Sequence, residues 1–425
     1  MPGLADDLRF RGLVHQVTDP SLLARLDVEH LTVYGGFDPT SDSLHVGNLL
    51  QLCTLRRLQL AGHRPIALAG GGTGFIGDPG GKSEERTLLS VDELAANVAS
   101  IRGQLVRFLD FEAPGDDRAL LLDNAAWLGS LGLVDFLRDV GKQFTVGQMV
   151  AKESVRSRLD REGQGISYTE FSYMLLQAYD FRHLYDEHDC RLQIGGSDQW
   201  GNITMGVDLV RRTRQAEVWG LTSPLVVKAD GTKFGKTETG TVWLDAARTS
   251  PYALYQFFLR SEDAVVGSYL RFFTFLDRDE LLGLDDALRT HPERREAARA
   301  LARAVCALVH GQDETTRVER AAEALYSGRL ADLDERSLLE VLAEAPTTTL
   351  ARDALGRLPL VDLLVTAGIA PSRTRARTTV EQGGCYLNDR RETDPDRCLT
   401  EDDVLAGRYV VVRRGKREYH LVELA

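Results

Sequence analysis

Short apolar runs alternate with longer segments of helical periodicity along residues 1–250. The short runs are rich in β-branched and aliphatic residues and predict buried strands, at 31–33, 65–69 and 225–227. In the longer segments apolar residues recur with helical spacing, which predicts helices at 49–60, 91–112 and 131–140. Strands that alternate with helices pair in parallel, so this pattern predicts an α/β domain with a Rossmann-like parallel sheet.

The pattern changes beyond about residue 250, where the glycine-rich strand ends cease. Residues 251–259 and 280–310 have helical periodicity and alanine-rich stretches, which are typical of a helix bundle. Within the second segment, Arg295, Arg299 and Arg303 are each four residues apart and are expected to share one helix face. That face is either solvated or turned toward RNA.

A linker near Pro346 introduces a last, small α+β domain. Its pattern predicts two helices followed by the turn Gly383-Gly384 and a strand. We therefore expect three domains, an α/β domain at 1–247, an α-helical domain at 248–345 and a small α+β domain with its linker at 346–425.

Charge limits the kind of partner that the chain can bind. The 425 residues carry a formal net charge of -12, which argues against a surface that coats nucleic acid without specificity. Residues 371–420, however, contain 11 Lys+Arg and 9 Asp+Glu, a net charge of +2. Any contact with RNA is therefore expected to be local.

Cysteine usage and hydropathy bear on the compartment. The five cysteines are scattered and lack C-x-x-C spacing, so the sequence predicts neither a zinc site nor a disulfide framework. No stretch approaches the roughly 18 apolar residues of a membrane helix. We expect a cytoplasmic protein that is not embedded in a membrane.

The stretch Tyr34-Gly-Gly-Phe-Asp38-Pro-Thr40-Ser-Asp-Ser-Leu-His45-Val-Gly47-Asn48 has the pattern of strand, loop and helix start. His45 and Asn48 are three residues apart and so lie on one face of that helix start. Backbone N–H groups are unpaired there and the helix dipole is positive, so an anion is favoured. Phosphate is the expected ligand.

Two further segments place glycine and polar residues where a strand ends. They are Gly70-Gly-Gly-Thr-Gly-Phe-Ile-Gly-Asp78 and Gln193-Ile-Gly-Gly196-Ser-Asp198-Gln199. Open α/β sheets bind ligands at the carboxyl edge of their strands, so the repetition indicates a binding site. The first segment is not a P-loop, because Asp78-Pro79 interrupts the spacing to Lys82.

Three other groups of residues fit a ligand. Tyr173, Gln177 and Asp180 share one face of an apolar helix, either as a structural network or as a pocket. The segment 80–86 is basic and is either a surface turn or a phosphate-binding loop. Lys233-Phe-Gly-Lys236-Thr237 presents two point charges around a glycine, as a polyphosphate requires, although alone it would be typical of a surface loop.

Together these motifs resemble a known family. His45-Val-Gly-Asn48 and Lys233-Phe-Gly-Lys236-Thr237 are similar to the "HIGH" and "KMSKS" signatures of class I aminoacyl-tRNA synthetases, and Tyr34-Gly-Gly-Phe-Asp-Pro-Thr40 resembles the tyrosyl-tRNA synthetases in particular. Residues 363–388 resemble the S4 RNA-binding fold. The resemblance implies an S4-like last domain, a homodimer, and the partners L-tyrosine, ATP with Mg²⁺, and tRNA(Tyr), with no protein-bound metal.

The resemblance also implies a role for individual residues. Those expected to act on the phosphates, or to belong to the two signatures, are Thr40, His45, Asn48, Lys82, Arg86, Lys233, Lys236 and Thr237. Those expected to bind ATP, with Gly196 and Asp198 at the ribose, are Gly36, Asp38, Gly47, Gly196, Asp198 and Lys236.

For tyrosine, the resemblance implies that Tyr34 and Asp180 bind the phenol. The positions that match the α-ammonium site are Asp78, Tyr173 and Gln177. Gln199 matches a position near the reacting carboxylate, and Gln193 a position behind the pocket.

Three residues depart from the family pattern: Gly35 replaces a Cys of some members, Asn48 the second His, and Thr237 a common Ser. Two other interpretations stay open at this point. A tryptophanyl relative shares the expected fold, but Asp180 in the pocket and the basic last domain argue against it. The other is a catalytically silent RNA-binding protein. Such a protein has no physical reason to keep five phosphate-directed groups, which here are His45, Lys82, Arg86, Lys233 and Lys236.

Overall fold

A computed structural model of the chain describes residues 3–78, 89–159, 165–232, 234–237, 240–415 and 418–425. The chain divides into two compact units, one of Met1–Thr249 with Phe258–Val309 and one of Ser250–Phe257 with His310–Ala425. No helix among the described residues is long and apolar enough to span a membrane.

The first unit is built on a six-stranded sheet. Its strands are β1 (Gln16–Val17), β2 (Thr32–Phe37), β3 (Arg64–Ala69), β4 (Leu120–Asp123), β5 (Cys190–Gly196) and β6 (Trp219–Ser223). The order is β1-β6-β5-β2-β3-β4, and every neighbouring pair from β6 to β4 is parallel, whereas β1 is antiparallel to β6. This confirms the predicted α/β fold with a parallel sheet.

Helices follow or precede the strands in the manner that the periodicity predicts. They are α1 (Leu4–Phe10), α2 (Ser21–Arg25), α3 (Val46–Leu60), α4 (Val91–Leu105), α5 (Ala125–Leu128), α6 (Leu133–Asp139), α7 (Val146–Val150), α8 (Glu153–Leu159), α9 (Tyr168–His188) and α10 (Trp200–Arg214). The longest, α9, begins where the Ser167 side chain accepts a hydrogen bond from the Glu170 N–H, and ends at Asp189 in the left-handed conformation. Its apolar residues pack against α10 and β5.

Two short strands, β7 (Lys236–Thr237) and β8 (Gly240–Thr241), form a separate hairpin. The helices that come next are α11 (Pro251–Leu259), α12 (Asp263–Phe273), α13 (Arg278–Thr290) and α14 (Glu296–His310).

The second unit joins helices α15 (Gln312–Ser327), α16 (Glu335–Val341), α17 (Leu360–Thr366) and α18 (Arg373–Glu381) to a five-stranded sheet. Its strands are β9 (Thr347–Leu350), β10 (Cys385–Leu387), β11 (Arg390–Glu392), β12 (Tyr409–Arg414) and β13 (Glu418–Leu424), in the order β11-β10-β12-β13-β9. The expected two helices, glycine turn and strand correspond to α17, α18 and β10. Apolar residues of both helices pack on β10 and β12 in one core.

Two predictions of local structure are wrong. The strand expected at 225–227 does not form, and β6 ends at Ser223 because Pro224 has no N–H to continue the ladder. The helix expected at 280–310 is two helices, and Arg295 lies between them with φ +54. Arg295 donates to the Ser261 carbonyl at 3.0 Å, so it does not form a helical stripe with Arg299 and Arg303.

Candidate functional site

The three glycine-rich and polar segments meet at one edge of the first sheet. Strands β5, β2 and β3 are consecutive parallel neighbours, so their carboxyl ends lie side by side. Asp38 follows β2, Gly70 follows β3, and Gly196 ends β5. The prediction of a common edge is therefore confirmed.

Asp38 is fixed at the centre of this edge. Its Oδ1 accepts a hydrogen bond from Thr73 Oγ1 at 2.9 Å, and its Oδ2 accepts one from Tyr173 Oη at 2.6 Å. A Cβ at Gly70 would lie 2.1 Å from Asp38 Oδ1, so only glycine leaves room for the carboxylate. Burial and then the nearby charges of Asp38 and Asp78 raise the pKa of Tyr173 well above its ordinary value, which keeps its phenol protonated.

Tyr34 and Asp180, the two residues expected to bind the phenol, are both buried. Tyr34 is 1% exposed, and its hydroxyl has no hydrogen-bond partner within the described part of the chain. Asp180 is 2% exposed, and burial raises the pKa of its carboxyl to about 7. The Asp180 charge also raises the pKa of Tyr34, after burial as the larger cause.

Two residues that the sequence did not single out hold Asp180. Asn124 Nδ2 donates to Asp180 Oδ2 at 2.9 Å, and Trp127 Nε1 donates to Asp180 Oδ1 at 2.7 Å. Asn124 also accepts from the Gly72 N–H at 2.7 Å through its Oδ1. Both residues lie at the short helix α5 after β4, where no motif marks them. Only their spatial position at the carboxyl edge could have identified them.

A chain of amide side chains links Asp78 to Gln177 on α9. Gln199 Nε2 donates to Asp78 Oδ2 at 2.5 Å. Asn202, also absent from the predicted set, donates from Nδ2 to Gln177 Oε1 at 3.0 Å and to Gln199 Oε1 at 3.1 Å. Gln193 on β5 is buried, and its Oε1 has no partner in the described ranges. The polar face of α9 is thus brought together with the loop after β5.

The start of α3, where the sequence predicts an anion site, is closed by its own capping residues. Asn48 Oδ1 accepts from the His45 N–H at 3.0 Å, which closes the first turn. A Cβ at Gly47 would lie 2.8 Å from Cε1 of the His45 ring, so the ring packs on the bare Cα of Gly47. Gly36 and Thr40 are exposed on the approach to this turn, and a Cβ on Gly36 would meet nothing within 4 Å.

Asp198 is exposed at the end of β5. A Cβ on Gly196 would lie 2.6 Å from Asp198 Oδ1, so the carboxylate sits close to the glycine backbone.

Residues 242–244, which follow the second signature segment, pair with residues 44–46 at the first. Val46 N–H donates to the Val242 carbonyl at 3.1 Å, Leu244 N–H donates to the Leu44 carbonyl at 2.8 Å, and Val242 N–H donates to the Gly235 carbonyl at 3.0 Å. Gly235 has φ +82, and a Cβ there would lie 2.7 Å from Val46 Cγ2.

Of the predicted basic residues, Lys236 and Thr237 lie in β7, whose backbone is described. Lys82, Arg86 and Lys233 lie outside the described residues.

Among the described residues no three His, Cys, Asp or Glu side chains form a metal-binding group.

Gln104 on α4 supports the loop that leads to His45. It is 3% exposed, and its Oε1 accepts from the Leu44 N–H at 2.9 Å and from Ser43 Oγ at 3.3 Å. The loop is therefore held from one side by Gln104 and from the other by Leu244.

A Rossmann-like sheet with the first signature segment at its carboxyl edge, and with Gly235 of the second lying against Val46, is the architecture of a class I aminoacyl-tRNA synthetase. Residues 27–327 match the family described as class I tRNA synthetases (W and Y), and residues 338–422 match the SYY-like C-terminal domain of tyrosine–tRNA ligase.

Individual relatives are similar over the whole chain. The tyrosine–tRNA ligase of Roseiflexus castenholzii is 53% identical over 426 residues and covers 100% of both chains. That of Geobacillus stearothermophilus is 51% identical over 99% of this chain and 100% of the relative. A C-terminally truncated mitochondrial tyrosyl-tRNA synthetase of Aspergillus nidulans has a TM-score of 0.69 and 32% identity, over 76% of this chain and 94% of that chain. The chain belongs to the tyrosine–tRNA ligase family.

Proposed function

We propose that the protein activates L-tyrosine with ATP to give tyrosyl-adenylate and pyrophosphate, and then transfers tyrosine to the 3′ end of tRNA(Tyr). The observation that carries the amino-acid assignment is the pair of Tyr34 and Asp180. A buried hydroxyl and a buried carboxylate, the latter oriented by two donors, are complementary to a phenol O–H. When phenylalanine enters such a site both groups stay unpaired, which disfavours it strongly.

The amino-acid backbone would lie toward the opening of the pocket. Asp78, Tyr173 and Gln177 supply oxygen acceptors for the α-ammonium, and the carboxylates near Tyr173 give this region negative potential. Gln199 donates a hydrogen bond to Asp78, which we assign to the α-ammonium. The reacting carboxylate of the same amino acid would lie next to that ammonium and so within reach of Gln199. Gln193 supports the site from behind.

Activation is an attack of the tyrosine carboxylate on the α-phosphate, with pyrophosphate as the leaving group. This chemistry needs positioning and charge stabilisation rather than a covalent catalyst. We assign the phosphates to Thr40, His45, Asn48 and the basic residues Lys82, Arg86, Lys233 and Lys236, with Thr237 beside them. The open surface of Gly36 allows a nucleotide to approach the backbone, and Gly47 leaves room for the His45 ring.

ATP would enter as its magnesium complex, with Asp38, Gly196 and Asp198 toward the nucleoside. Gly196 and Asp198 lie together at the end of β5, as ribose contacts require. Asp38 joins the two halves of the site, because its partner Tyr173 belongs to the ammonium end.

For the RNA we propose the division into residues 1–247 for catalysis, 248–345 for the anticodon arm and 346–425 as the S4-like RNA-binding domain. Arg373 and Arg377 are exposed on α18, although ion pairs with Asp362 and Asp396 partly neutralise them. We also propose a cytoplasmic location, where tRNA is charged and where the five cysteines, which form no disulfide, stay reduced.

We further propose a homodimer. Residues 133–168 carry large apolar side chains that are exposed in the single chain: Leu133, Val134, Leu137, Val146, Leu159 and Tyr168, at 45–76%. Such a concentration is typical of a protein interface, and a second copy is the commonest partner.

The double substitution Leu133→Asp with Leu137→Asp tests the dimer. We expect light scattering to give twice 47.1 kDa for the parent and 47.1 kDa for the variant. Val28→Asp is the matched control, since Val28 is 81% exposed and lies outside residues 133–168. A parent of monomer mass, or a variant that stays dimeric, would refute this interface.

The reaction is tested by ATP–pyrophosphate exchange with tyrosine, phenylalanine and tryptophan offered separately. Exchange with tyrosine alone supports both the reaction and the pocket. Exchange with tryptophan would agree with the assigned fold but refute the proposed role of Asp180. A purified protein that is folded but shows no exchange would favour a silent RNA-binding protein.

A further inference from the structure

Three aromatic rings form a row beside Asp180. The rings of Trp127 and His183 stack with centroids 4.2 Å apart and planes inclined by 25°. Tyr179 extends the row, with its centroid 6.4 Å from that of His183 and an inclination of 22°. The Arg182 guanidinium lies over the outer ring, 4.7 Å from the Tyr179 centroid.

Trp127 connects the row to Asp180. Its indole N–H donates to Asp180, while its ring face contacts His183. Asp180 and His183 are three residues apart on α9 and therefore lie on one face of that helix. One helix thus holds the indole at two points, by its nitrogen and by its face.

Trp127 needs such a restraint. It lies on α5, which has four residues, and a helix of that length has little stability of its own. The indole is half-buried, so packing fixes it less than a core side chain. If the ring turned away, Asp180 Oδ1 would lose its donor inside the protein, and the carboxylate would no longer be aimed.

We propose that His183 is a positioning residue for the choice of amino acid: by stacking on Trp127 it keeps the indole N–H on Asp180, and so keeps Asp180 aimed at the substrate phenol. The inference rests on the proposed function. Burial is the largest cause that lowers the pKa of His183, so its ring is neutral at neutral pH and acts as a flat aromatic surface. Another flat ring should therefore replace it.

The experiment compares His183→Ala, which removes the ring, with His183→Phe, which keeps it. His188→Ala is the control, because His188 is a half-buried histidine on the same helix but outside the row. ATP–pyrophosphate exchange is measured for each variant with tyrosine and phenylalanine at saturating ATP, and then with ATP varied. Thermal unfolding shows that each variant is folded.

For His183→Ala we expect kcat/KM for tyrosine to fall about 3- to 10-fold, the range typical of a lost aromatic pair. The value for phenylalanine and the KM for ATP should stay within about twofold, so that the tyrosine preference falls by the same factor as tyrosine use. His183→Phe should restore the preference to within about twofold of the parent.

Equal losses for tyrosine and phenylalanine would overturn the proposal, since they indicate a general structural role. A Phe variant as poor as the Ala variant would do the same. If the parent itself shows no exchange with tyrosine, the proposed function fails. If the parent is active but its preference is unchanged in His183→Ala, only the role of His183 fails.

Discussion

Asp180→Asn is the substitution that separates the two ends of the proposed site. The amide has the shape of the carboxylate but has one acceptor oxygen instead of two and no charge. In the protein Asn124 and Trp127 each donate to a different oxygen of Asp180. After the substitution one of these donors faces an NH₂ group, whichever way the amide is turned.

The substitution has two separate energetic effects, one on stability and one on substrate binding. The mismatched donor is a buried, unsatisfied group, which lowers the free energy of unfolding by about 1–3 kcal/mol in free and bound protein alike. The hydrogen bond between the substrate phenol and a charged group is made only on binding, and its loss costs about 1.5–3 kcal/mol. We therefore expect kcat/KM for tyrosine to fall about 10- to 200-fold. The KM for ATP should change less than about threefold.

The assay is ATP–pyrophosphate exchange with each substrate varied in turn, together with thermal unfolding. Asp186→Asn is the matched control: Asp186 lies on the same helix and pairs with Arg214 away from the pocket, so its kinetics should be those of the parent. Equal losses for tyrosine and ATP, or a fully active Asp180→Asn, would refute the assignment.

The same residue predicts a pH dependence. Because the pKa of Asp180 is about 7, the free protein protonates this carboxyl as the pH falls through that value. A protonated carboxyl is a poorer acceptor for the phenol, so kcat/KM for tyrosine should decrease below about pH 7. In Asp180→Asn this decrease of kcat/KM at low pH should be absent. If kcat/KM depends on pH in the same way in both proteins, a group other than Asp180 causes the decrease.

Three further substitutions test other parts of the site. Tyr34→Phe should raise the free energy of unfolding by about 1 kcal/mol, because it removes a buried hydroxyl that has no partner within the described part of the chain. The same substitution should reduce the preference for tyrosine over phenylalanine about 2- to 10-fold. Chemical denaturation measures the stability and exchange kinetics the preference, and a less stable variant would contradict the first expectation. Gly47→Ala should displace the His45 ring and lower kcat of exchange at least about tenfold, while tyrosine affinity without ATP, measured by equilibrium dialysis, stays unchanged. Gln104→Leu should cost about 1–3 kcal/mol in the free energy of unfolding, because the Leu44 N–H loses its acceptor; chemical denaturation measures this cost, and a variant as stable as the parent would contradict it.

Local structure at the pocket was largely predictable because it depends on neighbours in sequence. Polar residues three and four apart on α9 had to share a face, and glycines after buried strands had to leave backbone exposed to a ligand. Where a nearby residue was overlooked, the prediction failed. Pro224 ends β6 before the expected strand, and the turn at Arg295 divides one expected helix into two.

The sequence by itself thus determined the fold class, the sheet edge at which the glycine-rich segments meet and the family, since these follow from periodicity and from motifs of adjacent residues. The tertiary structure alone decided how the site is held. Asn124 and Trp127 reach Asp180, Gln104 reaches Leu44, and Val242 pairs with Val46, although long stretches of chain separate the members of each pair. Each is a common polar or apolar residue whose role depends on a distant partner. No local pattern can reveal it, because folding brings the two together only when the sheet has formed.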